Sequence, residues 1–368
     1  MPPTRRLDPQ SFRLPVDAIR SGYYSDVYFN RARSVMQADG RDVRVRMQVF
    51  TRSEAVLCGI DEALAILRLG AGRFEHGERW REDWNDLRVC ALHDGDAIDP
   101  WETVMTIEGS YVSFAHLETL YLGVLARGTR IATNGRALVE AARGKDVLFF
   151  PARYDRYTTQ ESDGYAAHVA GVTAVSTDAN GAWYGERGIG TIPHALIAAY
   201  DGDTVRATTV FAENIDPAVR IIALVDYDND CVETSLACAR ALGARLWGVR
   251  LDTSDALVDR SLEAQTGALD LSGVNIELVH NVREGLDREG FTHVKIVVSG
   301  GFAVAKIASF EEQRAPVDAY AVGSAFLRDS GAYDFTADIV AVRHANGWAE
   351  QHKIGRPERP NPRLEPVD

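Results

Sequence analysis

Arg250 and Asp252 stand two residues apart in WGVRLDTSD, so on an extended strand both side chains leave the same face. Ionised groups are costly to bury without partners. The pair reads either as a structural ion pair or as a sugar-phosphate site, the carboxylate accepting hydrogen bonds from ribose hydroxyls and the guanidinium gripping a phosphate or carboxylate. Two other aliphatic runs, KIVVSGGF and DAYAVGSAF, stop at Ser299-Gly300-Gly301 and Gly323-Ser324. Glycine at a strand's end lets backbone N–H groups approach an anion; the plainer alternative is a tight turn into a helix. His194 lies in GIGTIPHALIAAY, where a glycine-rich loop with Thr191 leads into a helix beginning near Pro193. Fresh helix N–H groups suit a phosphate there, although a histidine in that place is more often an ordinary helix-start residue. VDYDND adds Asp226 and Asp228, oxygen ligands suited to a hard cation such as Mg²⁺ between phosphates and protein.

These groups share one feature: each closes a buried-type run. DVLFFPAR ends in Arg153, GVTAVST in Ser176 and Thr177 with Asp178 following, and RIIALVD in Asp226. ARLWGVRLD, VKIVVSGG and AYAVGSA complete the series, and amphipathic segments such as CVETSLACARALG and IELVHNVREGLDREG lie between several of them. Strands alternating with helices predict parallel β/α units, and six in succession favour a barrel or near-barrel. In such a barrel the C-terminal strand ends form one rim where function collects, and phosphate sites commonly use the loops after the last two strands. Both glycine loops fall there. The expected class is therefore α/β, an irregular β/α barrel with an N-terminal α+β domain.

The first part of the chain has a different character. VRVRMQVF alternates as a strand with one wet face, SEAVLCGIDEALAILRLG has helical spacing ending at Gly70, and HDGD and EGSY mark turns between short strands. FAHLETLYLGVLARGTRIATNGRALVEAARGK reads as helical, with breaks at Gly128 and Asn134-Gly135. The boundaries predicted are 1–125 for the N-terminal domain, 126–330 for the barrel, and 331–368 for a C-terminal helix and proline-rich tail packing back toward the N-terminal domain.

A formal net charge of −13 over 368 residues argues against holding nucleic acid by a general basic field, so an anionic substrate needs a local positive site. Cys58, Cys90, Cys231 and Cys238 form no C-x-x-C pair, and the last two fit one helix as small apolar side chains. The N-terminal segment has arginines without an apolar core, and no run approaches a membrane span. A reducing, cytoplasmic setting without membrane or nucleic-acid partners is expected.

With these residues assembled, the chain resembles the nicotinate phosphoribosyltransferase family, the type II phosphoribosyltransferases that also include nicotinamide and quinolinate enzymes. SGYYSDVYF, IEGSYVSFAHLETLYLGVLARGTRIAT, GIGTIPHAL, ALVDYDND, GVRLDTSDA, VSGGF and VGSAF carry the resemblance in the family's order, from about Ser21 to about Phe326. It implies homodimers whose active sites are shared between subunits, and transfer from 5-phosphoribosyl-1-pyrophosphate to nicotinate, with Mg²⁺ and usually with ATP hydrolysis. His194 matches the histidine of G-T-x-x-H that ATP phosphorylates. Arg250 and Asp252 match ribose-phosphate contacts, while Ser299, Gly300, Gly301, Gly323 and Ser324 match the 5-phosphate loops. Asp226 matches a carboxylate near pyrophosphate and Mg²⁺, Tyr24 an aromatic covering the pyridine from the neighbouring subunit, and Arg153 an arginine beside that ring.

Two departures bear on these roles. VDYDND replaces the usual aspartate followed by Thr-Tyr, which leaves the parts of Asp226 and Asp228 exchangeable. FFPARYDRY lacks the paired arginines often found there. Asp178 stands where nicotinamide-specific relatives carry an acid, and a shift of two residues would put Ser176 there instead. Nicotinamide is thus the alternative base, and a non-catalytic nucleotide-binding relative the alternative class. A dicarboxylate pocket of the quinolinate type would want a richer basic cluster. An aldolase-like barrel would want a lysine at a strand end, but Lys295 begins its strand and Lys306 lies in the helix that follows.

Overall fold

The computed structural model describes residues 6–75, 79–265, 270–329, 331 and 333–367. Residues 1–5, part of the N-terminal reading, and residues 330, 332 and 368, in the predicted C-terminal segment or at its edge, lie outside the described residues. The chain forms two compact units, one of residues 1–134, 161–171 and 329–368, the other of residues 135–160 and 172–328.

The first unit is built on a six-stranded sheet whose centre is the Arg44–Thr51 strand, paired antiparallel with Thr103–Ser110 on one side and Phe335–His344 on the other. Val45, Met47 and Val49 point into a core shared with Ile60, Ile66, Leu67, Ile107, Phe114 and Leu117. The face expected to be wet is covered instead. Arg46 pairs with Glu108 at 2.6 Å and with Glu358 at 2.9 Å, and the Gln48 side chain donates to the Pro357 carbonyl and accepts from the Arg359 N–H. The proline-rich tail is thus fixed by backbone groups that proline leaves free to bond.

Three local readings are corrected. The expected C-terminal helix is a β-hairpin, Phe335–His344 with Gly347–Glu350, because FTADIVAVRH alternates at strand period and completes the sheet. The helix expected from SEAVLCGID occupies only Ile60–Gly70, its start capped by the Asp94 carboxylate, which accepts from Ile60 N at 2.8 Å. The Glu118–Ala141 helix is unbroken. Gly128 is retained inside it by packing: a Cβ there would lie 2.8 Å from the Cys58 carbonyl oxygen. Tertiary fit outweighs helix propensity at this point.

The second unit carries six parallel strands, β1 (Asp146–Phe149), β2 (Ala174–Val175), β3 (Ile221–Leu224), β4 (Leu246–Leu251), β5 (Lys295–Val298) and β6 (Ala319–Val322), in the order β3-β4-β5-β6-β1-β2. The sheet curls into a half-barrel, and β2 and β3 do not pair to close it. Helices follow strands as predicted: α1 (His194–Ala199), α2 (Cys231–Leu242, holding both Cys231 and Cys238), α3 (Ile276–Arg288) and α4 (Val304–Glu312). Inside the curl Leu148, Ile222, Val297, Ala319 and Ala321 form an apolar cluster joined by Phe150 and Trp247. A register shift at the start of β3–β4 lets Trp247 join this cluster while Arg250, three residues on, still faces inward at the rim. No described helix is long and apolar enough to cross a membrane.

Candidate active site

At the C-terminal ends of these strands lies a cleft of about 550 Å³ lined by Phe150, Arg153, Tyr154, Ser176, His194, Arg250, Asp252, both glycine loops and their neighbours. Each wall follows from where a strand runs out of partners. Beyond Leu251, pairing continues for one bond, Ser299 N to the Leu251 carbonyl at 2.9 Å, and then the backbone opens. There Arg250 Nε donates to Ser299 Oγ at 2.8 Å, Nη2 to Asp252 at 2.9 Å and Nη1 to Thr191 Oγ1 at 3.1 Å. Ser299 Oγ donates to the other Asp252 oxygen at 2.6 Å. Three anchors fix the guanidinium, and its carbon stands 5.8 Å from the centroid of the Phe150 ring. The ion pair is thus built into a polar network that opens onto a cavity.

His194 begins α1. Its Nε2 meets the two Asp226 oxygens at 3.0 and 3.1 Å, and about half of the imidazole side chain remains exposed (45%). Asp226 follows β3 at the head of a tight turn, with Asn229 N donating back to its carbonyl at 3.0 Å and Asn229 itself in left-handed backbone (φ 54°). Burial pushes the Asp226 carboxyl up, His194 opposes this, and the Asp252 carboxylate pushes it up further. The two carboxylates therefore feel each other. Asp228 is exposed at the outer side of the same turn, and Tyr227 beside it faces His194 with ring centroids 6.5 Å apart.

The other predicted residues divide. Ser299, Gly300, Gly301, Gly323 and Ser324 line the cleft, together with Arg153 and Ser176. Asp178 does not line it: its carboxylate accepts the Gly188 N–H at 3.0 Å, holding the glycine-rich loop that leads to His194. Thr177, with Oγ1 accepting from Asn180 N, starts the short helix that turns Asp178 aside. Tyr24 belongs to the first unit, half exposed (49%), its ring edge-on to that of exposed Tyr23 with centroids 5.0 Å apart. Phe150 and Tyr154 were missed. Strand alternation carries the signal for Phe150, since it shares the inward face with Leu148, whereas nothing in the sequence marks Tyr154.

No group of three or more His, Cys, Asp or Glu side chains among the described residues is arranged to hold a metal ion alone. Asp226, with Asp252 near it, fits the lesser demand of Mg²⁺, which keeps water and substrate phosphates as most of its ligands.

Residues 26–129 match the family described as quinolinate phosphoribosyl transferase, N-terminal domain. The chain is 31% identical over 282 residues to nicotinate phosphoribosyltransferase pncB1 of Mycobacterium tuberculosis, a match covering 74% of this chain and 57% of that protein. It therefore spans little more than half the length of this curated relative. A crystal structure of nicotinate-nucleotide pyrophosphorylase from Pyrococcus furiosus is 31% identical, with a TM-score of 0.76 over 95% of this chain and 84% of that one. Human nicotinic acid phosphoribosyltransferase, 16% identical, shares the fold with a TM-score of 0.67, covering 91% of this chain and 77% of that chain.

Proposed function

We propose that this chain, which belongs to the nicotinate phosphoribosyltransferase family of type II phosphoribosyltransferases, forms nicotinate mononucleotide and pyrophosphate from nicotinate and 5-phosphoribosyl-1-pyrophosphate. The observation that carries the reading is the junction, in one cleft, of the Arg250–Asp252–Ser299 network with two glycine loops and a carboxylate-held histidine. The 5-phosphate takes the backbone N–H groups of Gly300, Gly301, Gly323 and Ser324, and the ribose hydroxyls turn to Asp252. Arg250, already restrained on three sides, needs no reorganisation to stabilise charge as pyrophosphate departs. The pyridine nitrogen is itself the nucleophile. Phe150 offers one face for the ring and Arg153 a cation for its carboxylate, which orients the attack on the anomeric carbon.

Ser176 rather than Asp178 at the cleft wall supports nicotinate over nicotinamide. A carboxylate there would repel the anionic base. Asp226 would hold Mg²⁺ together with substrate phosphates, and the ion would supply charge neutralisation for the leaving group. ATP coupling belongs to the same reading: with Nε2 fixed by Asp226, Nδ1 of His194 takes the γ-phosphoryl group as its bond to ADP breaks. A homodimer in which Tyr24 comes from a second subunit completes it.

The test is product formation from phosphoribosyl pyrophosphate and Mg²⁺, with nicotinate or nicotinamide, each with and without ATP. Nicotinate mononucleotide, raised by ATP, is expected. Turnover of nicotinamide alone would overturn the choice of base, and binding of the phosphosugar without turnover of either base would make the chain a non-catalytic relative.

A further inference from the structure

The Gly300–Gly301 peptide poses a problem that the glycines cannot solve by themselves. Both residues sit in left-handed backbone, φ 85° and 67°, and neither has a side chain to choose which way the peptide plane between them faces. Rotating that plane exchanges the Gly300 carbonyl for the Gly301 N–H on the cleft side. One orientation donates to an anion and the other repels it. In a trans peptide the two groups point in opposite directions, so a group that holds the carbonyl from behind also aims the N–H forward.

Lys306 stands in that place. Its ammonium donates to the Gly300 carbonyl oxygen at 3.4 Å and rests 4.5 Å from the centroid of the Phe302 ring, while the residues lining the cleft do not include it. The lysine reaches back from the first turn of α4, where a positive charge opposes the helix dipole, and that turn has neither an acidic residue nor a side-chain N-cap. Burial lowers the ammonium's pKa, and Asp255 opposes this. Phe302, almost fully buried, gives the ammonium a cation–π seat and limits its freedom to swing into solvent.

We propose that Lys306 is a positioning residue for the sugar-phosphate: it fixes the Gly300–Gly301 peptide so that the Gly301 N–H faces the anion in the cleft. This rests on the reading that a 5-phosphate binds at the Ser299–Gly301 loop. It adds a residue outside the cleft wall that acts through the loop rather than by touching substrate.

Two readouts separate this proposal from the catalytic reading. Binding of ribose 5-phosphate to the full chain, followed by calorimetry, needs no turnover; Lys306→Met should weaken it about tenfold, and Lys306→Arg should restore most of it. In the transfer assay, Lys306→Met should raise the KM for phosphoribosyl pyrophosphate by a similar factor, with kcat changed less than about threefold and the KM for nicotinate unmoved. Lys306→Gln serves as a second uncharged variant should the methionine form fold poorly, and thermal melting checks both. Wild-type binding of ribose 5-phosphate without turnover, lost in Lys306→Met, would sustain the positioning role while the transferase reading fails. Equal binding by wild type, Met and Gln variants overturns the proposal, as does a wild-type chain that binds no ribose 5-phosphate.

Discussion

His116 and His194 differ in everything but residue type. His116, in the antiparallel unit, is wholly buried, and burial together with the Arg33 guanidinium pushes its pKa down to about 3, the Gly70 backbone opposing. It is a neutral core side chain at any physiological pH. His194, on the rim of the parallel sheet, keeps about half of its side chain open and is held by a carboxylate at 3.0 Å. The same contrast runs through the carboxylates. Asp61 and Asp94 of the first unit are spent on Arg6, the Leu7 N–H and the start of the Ile60–Gly70 helix, whereas Asp252 faces a cavity. Arg6 and Asp61 also border a smaller pocket of about 270 Å³, so what distinguishes the rim is that a restrained arginine, a half-open histidine and two glycine loops gather around one cleft of about 550 Å³.

The sharpest way to break this contrast is Arg250→Met. Removing a preorganised cation aimed at developing charge should lower kcat/KM by about 10²–10³ in the transfer assay, with the melting temperature shifted by only a few degrees. If activity survives while stability collapses, Arg250 is a structural ion-pair member and the rim resembles the first unit. The two histidines give the next test. His116→Ala should cost about 2–4 kcal/mol of stability by leaving a cavity, measured by denaturant unfolding. His194→Ala should leave unfolding nearly unchanged and abolish ATP stimulation while some uncoupled transfer remains. Equal loss of coupled and uncoupled rates in a folded His194 variant would remove the phosphohistidine role.

A smaller effect separates the units through pH. Burial, with nearby carboxylates, pushes Asp94 and Glu62 up to about 7 and Glu118 up to about 8, all in the first unit. The folded chain then holds protons that the unfolded chain has released near pH 4, so the folded state binds more protons across the interval from about 4 to 8. These three groups lower stability as pH rises through that window, and His116, neutral in the fold but protonated in the unfolded chain below about 6.5, opposes them by one proton in its lower part. Glu118→Gln should flatten the slope by about one proton, ~1.4 kcal/mol per pH unit at most. A profile unchanged by the substitution would mean that Glu118 ionises normally.

Much of the parallel unit was legible because its chemistry sits where aliphatic runs stop, and the end of a run is visible in sequence. Arg250 and Asp252 share a face by strand period alone. Partnerships across the fold were not legible in the same way: His194 and Asp226 are 32 positions apart, and their contact depends on how α1 meets the turn after β3. The hairpin at Phe335–Glu350 was misread because its alternation becomes decisive only beside the Arg44–Thr51 strand that it pairs with. Gly128 suggested a helix break by propensity, and a close approach to the Cys58 carbonyl explains why the helix continues through it.

Asp178 gives the finest test, because sequence and structure assign it differently. Its type and place suggest a group beside the pyridine substituent, where it would favour an amide over a carboxylate. The fold commits that carboxylate to the Gly188 N–H, and Ser176, two residues earlier, reaches the cleft instead. Asp178→Asn keeps an oxygen acceptor for Gly188 and removes the charge. The ratio of kcat/KM for nicotinate to that for nicotinamide should therefore change by less than about threefold, under 1 kcal/mol of discrimination. A shift of a hundredfold toward nicotinate would show that the charge is felt at the ring after all. A small change in both kcat/KM values together, with the ratio constant, is what loosening of the Gly188–Thr191 loop predicts, because Thr191 holds Arg250 rather than the base.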